Sequence, residues 1–320
     1  MNFMINGINL NDMVQNQITF QPSINTVSEF KVDNSTFGAE HGRNSGAIVN
    51  IATRSGTNEL HGEGFEFFRN DALDSRNYFN TPPAQKSPFD RNQFGFSAGG
   101  PILRNRTFLF GSYEGTRQRQ GIDINTPVLR DDQRAAVTDP VSRNLLPLDS
   151  NGHNHWGERR GRFVGSATAP VDIDQFTGDV HHTVRNQDSL HGYYAWQRDE
   201  RGSRHFNMRP RPQFLASATR AQSHRQIGTI NETHIFGSNL VNEARFGFNR
   251  INITFTPNAQ LNPVDYGMQV GVDRPIGLPL IAINGLGLQF GGPEQLPSRA
   301  HRHDVRVLGF GELPARSALD

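Results

Sequence analysis

Cysteine is absent from this 320-residue chain. Its absence excludes disulfides and thiolate-ligated metal sites and agrees with an exported bacterial protein. Lysine is almost missing: Lys31 and Lys86 are the only two, so arginine carries nearly all basic charge. With a net charge of +1 and no run of like charge, a general attraction to nucleic acid or anionic lipid is not indicated. No basic stripe accompanies the scattered aromatics, which argues against an RNA surface. Long apolar runs are lacking too. The hydrophobic fraction is 35% and mean hydropathy −0.59, and no stretch approaches the ~20 consecutive apolar residues of a membrane helix. The opening MNFMINGINL has neither the basic start nor the apolar core of a signal peptide. No phosphate-binding G-x-x-x-x-G-K-[ST] sequence occurs.

What the chain does have is 32 glycines and 23 phenylalanines. Both suit transmembrane β-strands, which need only ~9–11 residues each and turn alternate side chains to lipid. Before Gly56 the pattern is that of a small mixed α/β unit. Phe3 to Leu10 reads as a strand with a Gly turn, and Pro22 to Val27 as a helix start in which Ser23 can cap. Glu29–Val32 and Ile48–Thr53 read as strands. After Glu59 strands follow one another at about 59–69, 92–101, 107–117, 172–184, 189–198, 224–236 and 240–252. Three alternate clearly. Phe94, Phe96 and Ala98 oppose Gln93, Gly95 and Ser97. Phe176, Gly178, Val180 and Val184 oppose Gln175, Thr177, Asp179 and His181, with His182 interrupting the apolar face. Ala244, Phe246 and Phe248 oppose Glu243, Arg245, Gly247 and Asn249. The first and third strands are blurred: Phe65, Phe67 and Phe68, like Phe108, Leu109 and Phe110, fall on both faces.

Connections alternate in length. Residues 71–91, 118–171, 199–223 and 254–302 form long loops, whereas 102–106, 185–188 and 237–239 are tight turns. In an antiparallel meander the tight turns then share one end and the long loops the other, the asymmetry of outer-membrane barrels. Several long structureless loops are rare in a compact soluble domain. On this topology Phe68, Phe94, Tyr113, Phe176, Trp196 and Phe248 all lie near the long-loop end, as an outer aromatic belt would. His303 to Phe310 starts an eighth strand that GELPARSALD does not continue.

The run FGAEHGRNSGAIVNIATRSGTN resembles the closing motif of the plug domain of TonB-dependent outer-membrane receptors. HGEGFEFFRNDALDSRNYF, RNQFGFSAGGPILRNRTFLFGSYEG and LVNEARFGFNR resemble the first barrel strands of the Oar-like branch. That branch carries a carboxypeptidase-regulatory-like domain ahead of the plug. The likeness implies an all-β fold: part of a transmembrane antiparallel barrel, about seven or eight strands over residues 59–320, preceded by the C-terminal part of a plug over residues 1–58. A complete barrel of this kind has about 22 strands. The expected location is the outer membrane of a Gram-negative-type cell, with the signal peptide and the TonB-contacting segment upstream of this chain. The implied partners are outer-membrane lipid, TonB and an extracellular ligand, with no nucleic acid. Glycans, peptides, siderophores and cobalamin are the open ligand classes, and the Oar-like branch favours large polymers. Glu29 and Arg43 stand where the family's plug has a Glu and a basic residue, and the likeness implies charge-assisted hydrogen bonds locking plug to barrel.

Catalytic and cofactor sites are not expected. His153/His155 and His301/His303 lack acidic partners at metal-binding spacing, and His181 and His182 point to opposite faces of one strand. Asp131/Asp132 and Asp172/Asp174 sit in no cation-binding loop and read as loop charges. Two rival classes remain: a surface-binding, adhesin-like barrel without uptake, and a soluble carbohydrate-active β-protein, which the missing acid/base pair disfavours.

Overall fold

The computed structural model describes residues 1–11, 18–34, 46–75, 86–127, 130–145, 162–202, 219–257, 262–269, 279, 281–283, 288–290 and 299–312. Two sheets dominate. The smaller is built from β1 (Asn2–Ile5), β2 (Ile8–Asn9), β3 (Val27–Asn34) and β4 (Ala47–Thr53), in the order β2-β1-β4-β3. It is mixed: β1 runs parallel to β4, while β2 and β3 are antiparallel to their neighbours. Asn6 (φ 47°) and Gly7 (φ 83°) close the β1–β2 hairpin. An Asn-Gly pair is favoured there because both turn positions need positive φ. The expected helix is a single 3₁₀ turn, Ile24–Thr26, and Ser23 does not cap it with its side chain. The hydroxyl is engaged elsewhere, as described below.

The larger sheet comprises β5 (His61–Asn70), β6 (Phe89–Leu103), β7 (Thr107–Pro127), β8 (Arg162–Arg185), β9 (Asp188–Gly202), β10 (Thr219–Gly237), β11 (Leu240–Pro257) and β14 (Arg299–Glu312). β12 (Ile281–Ile283) and β13 (Leu288–Phe290) form a separate small hairpin. Each strand of the large sheet pairs antiparallel with the next, and the sheet ends at β5 and β14 without closing. The eighth strand, Arg299–Glu312, thus includes residues earlier than the sequence pattern suggests.

The main departure from the sequence pattern is strand length. Residues 118–171 are not one loop: β7 and β8 stay paired from Gln118↔Val171 out to Pro127↔Arg162. Two short helices, α1 (Asp131–Ala135) and α2 (Pro140–Leu145), follow. The Ser142 backbone N–H, 2.7 Å from Asp139 Oδ2, holds that carboxyl below its ordinary range. Likewise β9 and β10 remain paired to Gly202↔Arg220. The reason is visible on the outward face. Arg117 and Asp174 pair at 2.6 Å, Arg119 and Asp172 at 2.7 Å, and Glu200 meets Arg220. Cross-strand ion pairs replace apolar side chains on that face, so the outward hydrophobic signal ends before the strand does. Asp172 and Asp174 are therefore wall residues, not loop charges.

The burial pattern is inverted relative to a water-soluble protein. Side chains buried on the inner face include Ser97, Ser112, Thr116, Gln175, Thr177, Asp179, Gln197, Ser223, Thr229 and Asn249. Exposed on the outer face are Phe94, Phe96, Leu109, Phe176, Val180, Tyr194, Ile230 and Phe246. A polar interior with an apolar exterior is what strands need when lipid covers the outside. The two blurred strands have local causes. Phe110 is 3% exposed and turns inward, Phe108 stacks on inward His181, and Leu109 points out. In β5 the Phe65 ring fills the space over Gly95, where a Cβ would sit 2.7 Å from it. We expect Gly95→Val to cost about 1–3 kcal/mol through overpacking, read as a lower denaturation midpoint.

Candidate functional site

The small sheet packs against the inner face of the large one, and that seam is the candidate site. Its apolar part joins Ile5, Leu10 and Phe20 of the N-terminal unit to Tyr193, Ala195 and Ile227 of the wall in one buried cluster. The approach is close because glycine permits it: a Cβ on Gly247 would lie 2.5 Å from Ile8.

Around this cluster runs a polar rim. Ser23 Oγ donates to Glu114 Oε2, and Gln93 Nε2 donates to Glu114 Oε1 at 2.8 Å. Gln175 Nε2 donates to the Gln21 carbonyl at 3.2 Å, and Asn249 Nδ2 to Thr19 Oγ1 at 3.0 Å. At the β4 end, Asn6 Nδ2 donates to Thr53 Oγ1 (3.0 Å), which donates on to Asp179 Oδ2 (3.0 Å). His191 Nε2 lies 2.7 Å from the same carboxylate oxygen. Asp179 is 1% exposed, and among the described residues its other oxygen, also buried, has no hydrogen-bond partner. A buried carboxylate held through one oxygen is sensitive to loss of either contact. Thr53→Val, which removes the hydroxyl at nearly constant shape, should weaken the seam by about 1.5–3 kcal/mol. Loss of cooperativity between the two sheets in hydrogen exchange would register it; unchanged protection would count against a role for Thr53.

Of the two residues singled out as a lock, Glu29 lies on β3 opposite Ala52 and is exposed. Arg43 lies outside the described residues. So do His153 and His155. His181 faces inward beside Phe108, while His182 pairs with Thr107 at 2.8 Å, so the two do diverge. The six aromatics take definite positions. Tyr113 stands opposite Phe176, and Phe176 opposite Trp196, in a continuous row. Phe96, which the sequence reading did not include, extends it opposite Tyr113. Phe94 and then Phe68 step toward the long-loop end, and Phe248 steps toward the turns. These steps share one sense, as a level line does in crossing tilted strands. Immediately beyond the row come the ion pairs of Arg117 and Asp174, and Tyr113 Oη donates to Asp174 Oδ1 at 2.7 Å. Seam contacts such as Ser23–Glu114, 91 residues apart, had no sequence signal.

A groove of about 840 Å³ opens beside this cluster, lined by Phe3, Ile18, Phe20, Ile24, Phe30 and Ile51 among others.

Comparison with known proteins gives consistent results. Residues 52–308 match the family described as outer membrane beta barrel domain. Over 180 residues the chain is 26% identical to the TonB-dependent transporter Oar of Myxococcus xanthus, a stretch covering 54% of this chain and 17% of Oar. In fold it is similar to the outer membrane transporter YddB of Escherichia coli, with a TM-score of 0.57 and 10% identity over 95% of this chain and 36% of YddB. It is also similar to the siderophore receptor PirA of Acinetobacter baumannii, at 0.54 and 14% over 99% of this chain and 38% of PirA. The chain thus spans well under half the length of each of these relatives.

Proposed function

This chain belongs to the outer membrane beta barrel domain family, and on that premise we propose that it forms the plug and first wall sector of a receptor for TonB-energised uptake. The observation that supports this most is the seam. A separate small sheet sits on the polar inner face of a lipid-facing wall, held by hydrogen bonds and one compact apolar cluster. Such a contact keeps a lumen shut at rest and yields to a pull.

In this reading residues 1–58 are the plug and 59–320 the wall, whose long connections face outward. Phe68, Phe94, Tyr113, Phe176, Trp196 and Phe248 form the outer aromatic belt. Glu29 and Arg43 remain the proposed lock on the plug. TonB engages the plug of the complete receptor. The ligand binds the long loops and the outward side of the plug; from the likeness to Oar we favour a large glycan or peptide over a siderophore. The protein acts as a transporter and not as an enzyme.

Uptake by cells carrying the complete receptor tests this. Accumulation of labelled ligand should fall to the surface-bound level when a proton uncoupler is added. Accumulation indifferent to the uncoupler would favour an adhesin-like barrel instead.

A further inference from the structure

We propose that Asp188, Glu232 and His234 form a binding site for a divalent transition-metal ion on the outward face of the wall, beside the β8–β9 turn. One ligand atom from each residue lies within 4.8 Å of the others. The arrangement follows from the register. Asp188, the first residue of β9, stands directly opposite His234 of β10. Glu232, two residues before His234, shares its face because side chains alternate along a strand. All three are half-buried. His234 Nδ1 contacts Asp188 Oδ1, and the imidazole is held edge-on to Phe236 with ring centroids 4.2 Å apart. Asn242 Nδ2, 3.4 Å from Glu232 Oε2, orients the second carboxylate. The Ile235 N–H donates to the Gln187 carbonyl at 2.9 Å, tying the β8–β9 turn to β10.

Charge makes the case for a cation. Elsewhere on the outward face three carboxylates have an arginine: Asp172 with Arg119, Asp174 with Arg117, Glu200 with Arg220. Among the described residues neither Asp188 nor Glu232 has an arginine or lysine within ion-pair distance. Two carboxylates lie beside one imidazole, flanked by exposed Ile230 and Phe236. Ionisable groups facing lipid are costly unless neutralised, and they commonly mark function. The segment from Asp188 to Trp196 spans roughly 27 Å along β9 at ~3.4 Å per residue. With tilted strands this places the cluster near the lower edge of an apolar band about 25 Å tall, within reach of headgroup water. One imidazole nitrogen with two carboxylate oxygens suits Zn²⁺, Co²⁺ or Ni²⁺ better than Mg²⁺ or Ca²⁺. Three protein ligands leave a coordination position for water. A bound ion would staple β9 to β10 at the rim.

Co²⁺ is the probe, because its visible spectrum reports nitrogen and oxygen ligation, and a chain without cysteine has no thiolates to compete. The full chain, refolded in detergent micelles, is titrated with CoCl₂ alongside Glu232→Gln, His234→Ala and the double variant His153→Ala/His155→Ala. Wild type and the His153/His155 variant should bind one equivalent that the other two bind at least about tenfold more weakly. Zn²⁺ should raise the melting temperature of wild type but not of Glu232→Gln, which keeps shape and hydrogen bonding if His234→Ala folds poorly. Equal Co²⁺ affinity in wild type and Glu232→Gln, loss of the equivalent with the His153/His155 change, or no binding below millimolar Co²⁺ would each overturn the assignment.

Discussion

Replacing Ile230 with arginine in the complete receptor should destabilise it by about 2–4 kcal/mol, although the side chain is half exposed. Ile230 stands opposite Gly192 on one side and Phe246 on the other, in the middle of the outward apolar band. Were that face in water, exchanging an exposed isoleucine for arginine would change stability by no more than ~0.5 kcal/mol. In lipid the guanidinium must be desolvated, and the penalty depends on depth. Gln226→Arg, opposite Trp196 at the edge of the band, should cost only about 0–1 kcal/mol. Urea unfolding in bilayers and the amount of receptor reaching the outer membrane both read this contrast. Equal, negligible effects at the two positions would mean that lipid does not cover this face.

The second large effect is expected at Phe20. Its ring is 1% exposed, wedged among Ile5, Leu10, Tyr193, Ala195 and Ile227. Truncation to alanine removes most of the apolar bond between the two sheets and should cost about 3–5 kcal/mol. Because the wall has its own hydrogen-bonded ladder, the loss should fall on plug retention. Cells with the Phe20→Ala receptor should leak small hydrophilic dyes and become detergent-sensitive, while receptor abundance stays close to wild type. A tight barrier despite Phe20→Ala would show that the polar rim alone retains the plug.

The meander and its faces were legible in the sequence wherever lipid met one side and the lumen the other. Phe94, Phe96 and Ala98 against Gln93, Gly95 and Ser97 is such a case, and the sides fall as the alternation implies. Legibility failed beyond the outward apolar band. There the ladder continues through Arg119–Asp172 and on to Pro127↔Arg162, with charged residues on the face that had been apolar. It also failed where the lumen is not aqueous. Phe108 and Phe110 point inward, so their strand looked apolar on both faces. The seam itself was invisible in the sequence. Thr53 and Asp179 are ordinary residues 126 positions apart, brought together only by the packing of one sheet on another. The Asp188–His234 pair, 46 positions apart, emerged only from strand register.

The central claim is that the large sheet has a lipid face and a lumen face. The absence of native cysteine makes it directly measurable by placing single cysteines from residue 175 to 184 along β8 and attaching a spin label to each. In bilayers, the labels at 176, 178, 180 and 184 should be relaxed by oxygen dissolved in the lipid. Those at 175, 177 and 179 should be shielded from it, and should become accessible to a water-soluble nickel chelate only when the plug is displaced. Uniform access of the nickel chelate to the even-numbered positions would contradict the account.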